Sequence, residues 1–416
     1  MLALLLSLIT ADTLNLTVNQ ALDMALKQST VAAQARLTRA SGQSQYLRAW
    51  SLVTPTLNGS GGVGWHIGPR VNHDTTLTHG WSMGISASQV LFDPSVFGNI
   101  ASSNVNRSIA DLQASSDLNQ QVWNVRTGYY GLQELYGLYD LADTTVKQAE
   151  DNYNLAQQEQ KLGSATQIAV LQAETNLHQA QLNQMSAEKN LLSANEAFKA
   201  LLGRTDDILV KPTPIDTAWT PPTYTSLNEL WQQIETNNPT LLIARQSEKA
   251  AHLDKTIAYE KLLPTLSANA SNSYSAANFP GATSKWGDYS TTSFSVNLNL
   301  PILNIQNSLL NIHDANIGLA QAQVSLQASE IQLRQSAANA FLSYQQAMRE
   351  VSYAGDNLNL SRELYRLAEE QYRLGQLTLL DLFNTETTLS QARVTYLNAV
   401  GDVQIQQAQM DYLLGK

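Results

Sequence analysis

Residues 367–392 read LAEEQYRLGQLTLLDLFNTETTLSQA, and a second copy without gaps, LAQQEQKLGSATQIAVLQAETNLHQA, occupies residues 155–180. The two copies are 212 residues apart, and the same offset relates their endings at Gly415 and Gly203. Each copy is an amphipathic segment with one interruption, at Leu-Gly. Because a glycine inside a helix costs about 1 kcal/mol relative to alanine, the interruption is better explained as a turn between two helices. Each half of the chain is therefore predicted to contain a long helical hairpin.

The duplication extends upstream of the hairpins. Residues 17–36 resemble residues 226–245, and both segments lead to a Pro-Thr-Leu sequence that begins at Pro55 or Pro264. After each Pro-Thr-Leu the pattern changes to an alternation of apolar and small polar residues, which is typical of strands with one apolar face. Strands are predicted at residues 56–65, 81–87, 266–270 and 294–300.

These segments have about the length of a tilted membrane-spanning strand, roughly ten residues. Four strands cannot close a barrel, because barrels have about eight strands at minimum and lipid does not tolerate open edges. If the strands cross a membrane, several chains must share one barrel, and three chains supply twelve strands. In the last strand, the side chains predicted to face lipid are Phe294, Val296, Leu298 and Leu300.

The helices between the strands and the turns carry a coiled-coil pattern. Apolar residues recur at alternating spacings of three and four over 118–139 and again over 337–358. A sustained period of 3.5 residues indicates left-handed coiled-coil packing. The connector at 204–225 contains four prolines, so it is predicted to be extended and to have no helix of its own.

Composition excludes several classes of function. The chain has 416 residues, a net charge of −10 and no cysteine, and only 14% of its residues are charged. The acidic balance argues against a nucleic-acid partner, which requires clustered Lys and Arg. The six histidines form no HExxH-like pair, and neither a glycine-rich phosphate loop nor a GxSxG motif occurs. We therefore predict no enzyme activity, no metal site and no cofactor.

The N-terminus contains an apolar run of eight residues, from Leu2 to Ile9, followed by Ala11. This run is too short to span a membrane and suits the core of a secretory signal peptide. No basic residue precedes it, which is unusual for a signal peptide and is consistent with a truncated start. The alternative is a strand or helix that begins the folded protein. No other stretch reaches 18 apolar residues, so no transmembrane helix is predicted.

The chain resembles outer-membrane efflux proteins of the TolC-like family. The residues that carry the resemblance are the duplicated Leu-Gly turns, the ALLG and YLLG endings, the Pro-Thr-Leu entries and the Phe92-Asp93-Pro94 exit from the first strand pair. The resemblance covers about residues 14–416. It implies a mainly α fold with a small β part, in which a homotrimer forms a twelve-stranded outer-membrane barrel above a long periplasmic α-barrel.

The same resemblance implies a function and partners. The protein would be a passive exit duct of a tripartite efflux or type I secretion system, embedded in outer-membrane lipid with a large periplasmic portion. A periplasmic membrane-fusion adaptor would dock at the tips and open the duct, and an inner-membrane transporter of the RND, ABC or MFS type would supply the energy. The docking residues would be Lys161, Leu162, Gly163, Arg373, Leu374 and Gly375.

Three residues near the second turn are candidates for the gate. Asp381 would point into the closed aperture and form a ring of three, and the alternative is a solvated acid at a helix start. Asn384 stands where relatives carry a second acid. Tyr372 matches a family tyrosine that holds the aperture shut, but its acidic partner would fall at Ala169, which cannot accept a hydrogen bond. This departure puts a tyrosine–carboxylate bond in doubt and leaves packing as the alternative basis of the closed state.

A secreted coiled-coil filament or adhesin-stalk protein without a pore is the alternative. It explains the coiled-coil pattern but neither the strands nor the duplication, and it would dissolve without detergent. The favoured organisation has a signal peptide at 1–11, equatorial helices at 12–53 and 226–263, β-hairpins at 54–93 and 264–303, a linker at 204–225, and helical hairpins at 94–203 and 304–416 with tips near 161–166 and 373–378.

Overall fold

The structure, a computed structural model, describes residues 13–67, 77–214, 226–276, 290–301 and 305–416. The predicted signal peptide lies outside these residues. None of the described helices is both long enough and apolar enough to span a membrane. In chain order the elements are β1 (Thr13–Leu16), α1 (Val18–Gln28), α2 (Thr30–Trp50), a 3-10 turn (Ser51–Val53), β2 (Thr56–Ile67), β3 (Leu77–Phe92), α3 (Pro94–Lys161), α4 (Gln167–Leu202), β4 (Leu209–Pro212), α5 (Leu227–Asn237), α6 (Pro239–Glu260), β5 (Thr265–Ala276), β6 (Ser290–Asn299), α7 (Ile305–Arg373) and α8 (Leu379–Leu413).

The chain divides into two compact units. Within the described ranges, the helical unit contains residues up to Leu37 together with Gln113–Leu242 and Glu330–Lys416. The sheet-bearing unit contains Thr38–Leu112 and Ile243–Ser329. Because the duplicated segments contribute to both units, each unit contains one part from each half of the sequence.

The four long helices in the described part of the chain end in the same way. Each is followed within two residues by a glycine in the left-handed region, where a side chain is unfavourable. Beyond the first turn glycine, Ser164 N donates to Glu159 O at 2.9 Å, and at the second turn Gln376 N donates to Gln371 O at 2.9 Å. These bonds satisfy carbonyls at the helix end that lack an intrahelical partner. The glycines are Gly163 (φ 77°), Gly203 (φ 76°), Gly375 (φ 73°) and Gly415 (φ 74°).

Two of these glycines differ in their surroundings, which gives a matched test of stability. A Cβ at Gly203 would lie 2.8 Å from the backbone oxygen of Gln28, whereas a Cβ at Gly163 would meet no atom within 4 Å. Gly163→Ala is therefore expected to cost only the strain of a positive φ, about 1–2 kcal/mol. Gly203→Ala should lower the thermal midpoint of the purified protein more than Gly163→Ala does, because its Cβ would also lie too close to the Gln28 backbone. Equal losses in the two variants would contradict this account.

The cores of the helical unit lie where the coiled-coil pattern places them. Val125, Tyr129 and Leu132 of α3 are buried against Phe198 and Leu202 of α4. A second core combines Ala337 and Tyr344 of α7 with apolar residues of α5 and α8. The two hairpins also contact each other through α3 and α8, where Arg126 Nη1 lies 2.6 Å from Asp411 Oδ2.

Burial and the neighbouring Asp402 raise the pKa of Glu134, on the same helix as Arg126, to about 7.

The connector at 204–225 has more structure than the sequence predicts. It contains strand β4, which pairs in parallel with β1 at the start of the chain. Asn195 of α4 holds β4 by two bonds, since its Nδ2 donates to Val210 O at 2.7 Å and its Oδ1 accepts from Val210 N at 3.2 Å. The Tyr129 hydroxyl donates to Leu16 O at 3.0 Å. Side chains of the first hairpin thus bind the backbone of both strands.

In the sheet-bearing unit, four strands form one sheet in the order β2-β3-β5-β6. All neighbouring pairs are antiparallel. The strands fall where the sequence predicts them, but they are longer: β3 spans Leu77–Phe92 instead of residues 81–87. β2 and β6 are the two edge strands of this sheet.

The two faces of the sheet differ in polarity. Phe294, Val296 and Leu298 alternate along β6 with exposed fractions of 81%, 66% and 71%, and Leu300 follows the end of the strand. The opposite face carries Ser, Thr, Asn and Gly, and Ser271 and Ser293 share a hydrogen bond of 2.8 Å across it. None of the four strands contains a Lys, Arg, Asp or Glu residue. The apolar face is interrupted by a hydrogen bond from Asn272 to Thr292, 2.9 Å long.

Candidate functional site

The candidate site comprises the two turns that join the long helices, α3 to α4 and α7 to α8. After each turn the new helix begins with a threonine cap. Thr166 Oγ1 accepts from Ala169 N at 3.3 Å, and Thr378 Oγ1 accepts from Asp381 N at 3.2 Å. A capping threonine satisfies one of the free N–H groups of the first helical turn. The two turns are therefore built alike, as the duplicated sequence requires.

The residues predicted to dock an adaptor lie on and beside these turns. Leu162 is 83% exposed and Leu374 is 66% exposed. Lys161 is exposed, and Arg373 Nη2 lies 2.8 Å from Glu369 Oε1. Both turns present the same pair, an exposed leucine followed by a glycine. Large apolar side chains that are exposed together indicate a contact surface for another molecule.

Tyr372 has a carboxylate partner, which the sequence had put in doubt. Its hydroxyl donates to Glu159, with distances of 2.8 Å to Oε1 and 2.9 Å to Oε2. Glu159 lies in the last turn of α3, before Gly163, whereas Ala169 follows that glycine in α4. The sequence put this bond in doubt because only the helix after the turn was considered, whereas the partner lies on the helix before it. The tips of the two hairpins are joined by this bond.

The environment favours the protonated form of the tyrosine. Burial raises the pKa of Tyr372, and the hydrogen bond to Glu159 and its negative charge raise it further. The hydroxyl therefore remains a donor at physiological pH. Hydrogen bonds to charged groups contribute about 1.5–3 kcal/mol, and partial exposure places this bond toward the lower end.

Asp381 and Asn384 are exposed on the first turns of α8. Asp381 Oδ2 accepts a hydrogen bond of 2.6 Å from Thr378 Oγ1, so this oxygen takes part in the helix cap. The backbone carbonyl oxygen of Asn384 accepts a hydrogen bond of 2.9 Å from Thr388 Oγ1. Leu382 and Phe383, between these two residues, are buried. Asp381 and Asn384 therefore project from the opposite side of the helix, near the turn.

Long paired helical hairpins, a sheet with two edge strands and an exposed apolar face define the fold class of hairpin-built outer-membrane channels. The chain belongs to the outer membrane efflux protein family, whose model matches residues 21–204 and 230–416. This family comprises efflux proteins instead of enzymes. The resemblance predicted from the duplicated turns is confirmed.

Relatives and solved structures agree with this assignment. The cation efflux system protein CusC of Escherichia coli O6:H1 is 28% identical over 187 residues, 43% of this chain and 36% of the relative. The match thus spans about a third of that relative's length. A crystal structure of CusC superposes with a TM-score of 0.82 at 20% identity, covering 95% of this chain and 91% of that chain. The Campylobacter jejuni CmeC outer membrane channel gives a TM-score of 0.82 at 17% identity, covering 96% and 85%. The predicted mainly α fold class is confirmed.

Proposed function

We propose that three copies of this chain form a passive duct in the cell outer membrane, with a large periplasmic portion. The observation that carries the proposal is the four-stranded sheet. Its apolar face is exposed, its strands contain no charged residue, and β2 and β6 each lack a strand on one side within the described part of one chain. Because lipid does not tolerate open strand edges, β6 of one copy would pair with β2 of the next.

The helical unit supports the same assembly. Tyr353, Leu360 and Leu367 of α7 are exposed in one chain and are spaced by seven residues. On α4, Ile168, Leu171, Leu182 and Met185 are also exposed at coiled-coil spacings. Two apolar stripes on different helices of one chain fit a head-to-tail contact between copies, which closes into a ring. These stripes would bury each other in the homotrimer.

The partners follow from the turns. The exposed Leu162 and Leu374 would receive a periplasmic membrane-fusion adaptor, and docking would separate the hairpins that Tyr372 and Glu159 hold together. An inner-membrane transporter of the RND, ABC or MFS type would supply the energy, since the chain contains no phosphate-binding motif. The duct would serve a tripartite efflux or type I secretion system.

Asp381 gives the test of this function. Three carboxylates at the narrow end would attract cations, so the protein in planar bilayers should prefer cations and be blocked by trivalent cations. Asp381→Ala should move the reversal potential in asymmetric KCl toward zero and weaken the block. Asn384→Asp adds a second acid one helical turn further on, so it should increase both the cation preference and the block by trivalent cations.

Two results would contradict the proposed aperture or the duct itself. If neither substitution changes the reversal potential or the block, Asp381 acts only in the cap of α8. If the detergent-purified protein is monomeric and conducts no current, the duct itself is wrong. Glu370→Gln, an exposed acid before the turn that pairs with Arg366, controls for a general loss of negative charge.

A further inference from the structure

A pocket in the helical unit lies between α3, α4 and α8, away from the turns. Its volume is about 260 Å³. Asn152 and Glu386, on its wall, each lie 11 residues from the glycine of the nearest turn, roughly 16 Å along a helix. Its polar residues include Thr145, Asn152, Asn176, Asn183, Glu386 and Gln391.

Glu386 is the one charged group on this wall. Its Oε2 accepts a hydrogen bond of 2.9 Å from Asn152 Nδ2. Oε1 accepts none from any residue that the structure describes, so it remains available to a ligand. Burial raises the pKa of Glu386, while the Asn152 amide and the charge of Arg393 lower it. Arg393 lies two helical turns further along α8 and is not part of the pocket wall.

The rest of the wall leaves space for a short apolar group. Ala149, Ala173 and Ala180 have minimal side chains, and Phe383 contributes an aromatic ring. Amide and hydroxyl groups surround a single carboxylate, so the pocket is rich in hydrogen-bond acceptors. The described residues contain no cluster of three or more His, Cys, Asp or Glu that could hold a metal ion. This chemistry suits a ligand with positive charge and several N–H donors.

The duplicated sequence does not repeat the pair formed by Asn152 and Glu386. Glu174 in α4 occupies the position that matches Glu386, 212 residues earlier. The position that matches Asn152, however, holds Leu364. The repeat therefore retains the acid in both copies, but only Glu386 can have an amide partner from this position.

We propose that this pocket binds a small organic cation with N–H donors, a guanidinium or alkylammonium group, whose charged head bonds to Glu386 Oε1 and whose alkyl part lies along Phe383. The pocket wall comes from both helical hairpins, so the bound cation links them and stabilises the helical unit. The site does not depend on the proposed duct, because binding is measured on the purified protein without conduction.

Titration calorimetry on the intact protein in detergent tests the site with two ligands of the same shape. Butylguanidinium is expected to bind at pH 7.5 at least tenfold more tightly than butylurea, which is neutral. Glu386→Gln should weaken the binding of butylguanidinium at least tenfold, whereas Glu174→Gln should leave it unchanged. Lowering the pH should weaken binding to the wild-type protein, since protonation removes the charge of Glu386 while butylguanidinium keeps its own.

A second variant tests the site in case Glu386→Gln fails to fold. Asn176→Leu places a larger apolar side chain at the mouth of the pocket without removing Glu386 or Asn152, and it should also abolish binding while the circular dichroism spectrum stays unchanged. If Glu386→Gln does not fold, this variant decides the question. Equal binding of butylurea and butylguanidinium, an equal loss in Glu174→Gln, or full binding by Asn176→Leu would overturn the proposal.

Discussion

Replacing Tyr372 by phenylalanine is expected to raise the single-channel conductance of the purified protein several-fold in planar lipid bilayers. The substitution removes the bonds of 2.8 Å and 2.9 Å to Glu159 and leaves the ring in place. A hydrogen bond to a charged group contributes about 1.5–3 kcal/mol, and each copy in the proposed trimer would lose one. The closed tip should therefore open more often, which appears as larger and longer current steps.

Variants of the partner residue separate the bond from other effects. Glu159→Ala should raise conductance as Tyr372→Phe does, and Glu159→Gln should have a smaller effect because its amide oxygen still accepts. The double variant should exceed either single variant very little, since the two changes remove the same interaction. Glu370→Gln, two residues before Tyr372 and exposed, is the matched control. Conductance that stays at the wild-type value in both Tyr372→Phe and Glu159→Ala would rule out this bond as a lock.

Val296→Arg should prevent most of the protein from assembling in the membrane. Val296 lies on the exposed apolar face of β6, and an arginine facing lipid costs roughly 2–4 kcal/mol near the midplane of the bilayer. Three copies would place three such charges in lipid. The measurement is the yield of heat-resistant trimer after extraction of outer membranes.

The neighbouring residue supplies the control for this experiment. Ser295 lies on the opposite, polar face of the same strand, so Ser295→Arg should assemble at close to the wild-type yield. A normal yield of the Val296→Arg trimer, or an equal loss in both variants, would contradict the assignment of the apolar face to lipid.

Much of the fold could be predicted because its signals are local and repeated. The Leu-Gly turns require a left-handed residue, and Gly163 and Gly375 adopt that conformation. The ends of the strands were harder to place. The predicted strand at 81–87 covers only the middle of β3, since its flanks, LTHG at 77–80 and SQVLF at 88–92, do not alternate apolar and small polar residues.

The contacts that the sequence did not reveal join distant segments. Tyr372 and Glu159 are separated by 213 residues, and their bond depends on how two hairpins lie side by side. A useful signal was present, since both residues fall within four positions of a turn glycine. The pairing of β4 was missed for a similar reason, because the prolines around it indicated an extended segment but not its partner.

The pairing of β1 with β4 has a consequence for the order of folding. Thr13 and Leu209 are partners in register, although nearly the whole first half of the chain separates them. Their pairing closes a long loop, and the entropic cost of that closure precedes any gain from a four-residue strand. The first hairpin therefore has to form before β4 can join β1, with Asn195 already in position to hold Val210. During synthesis, a chain that ends before this strand keeps its first segment unsecured, so the first half becomes complete only once the connector to the second half has emerged.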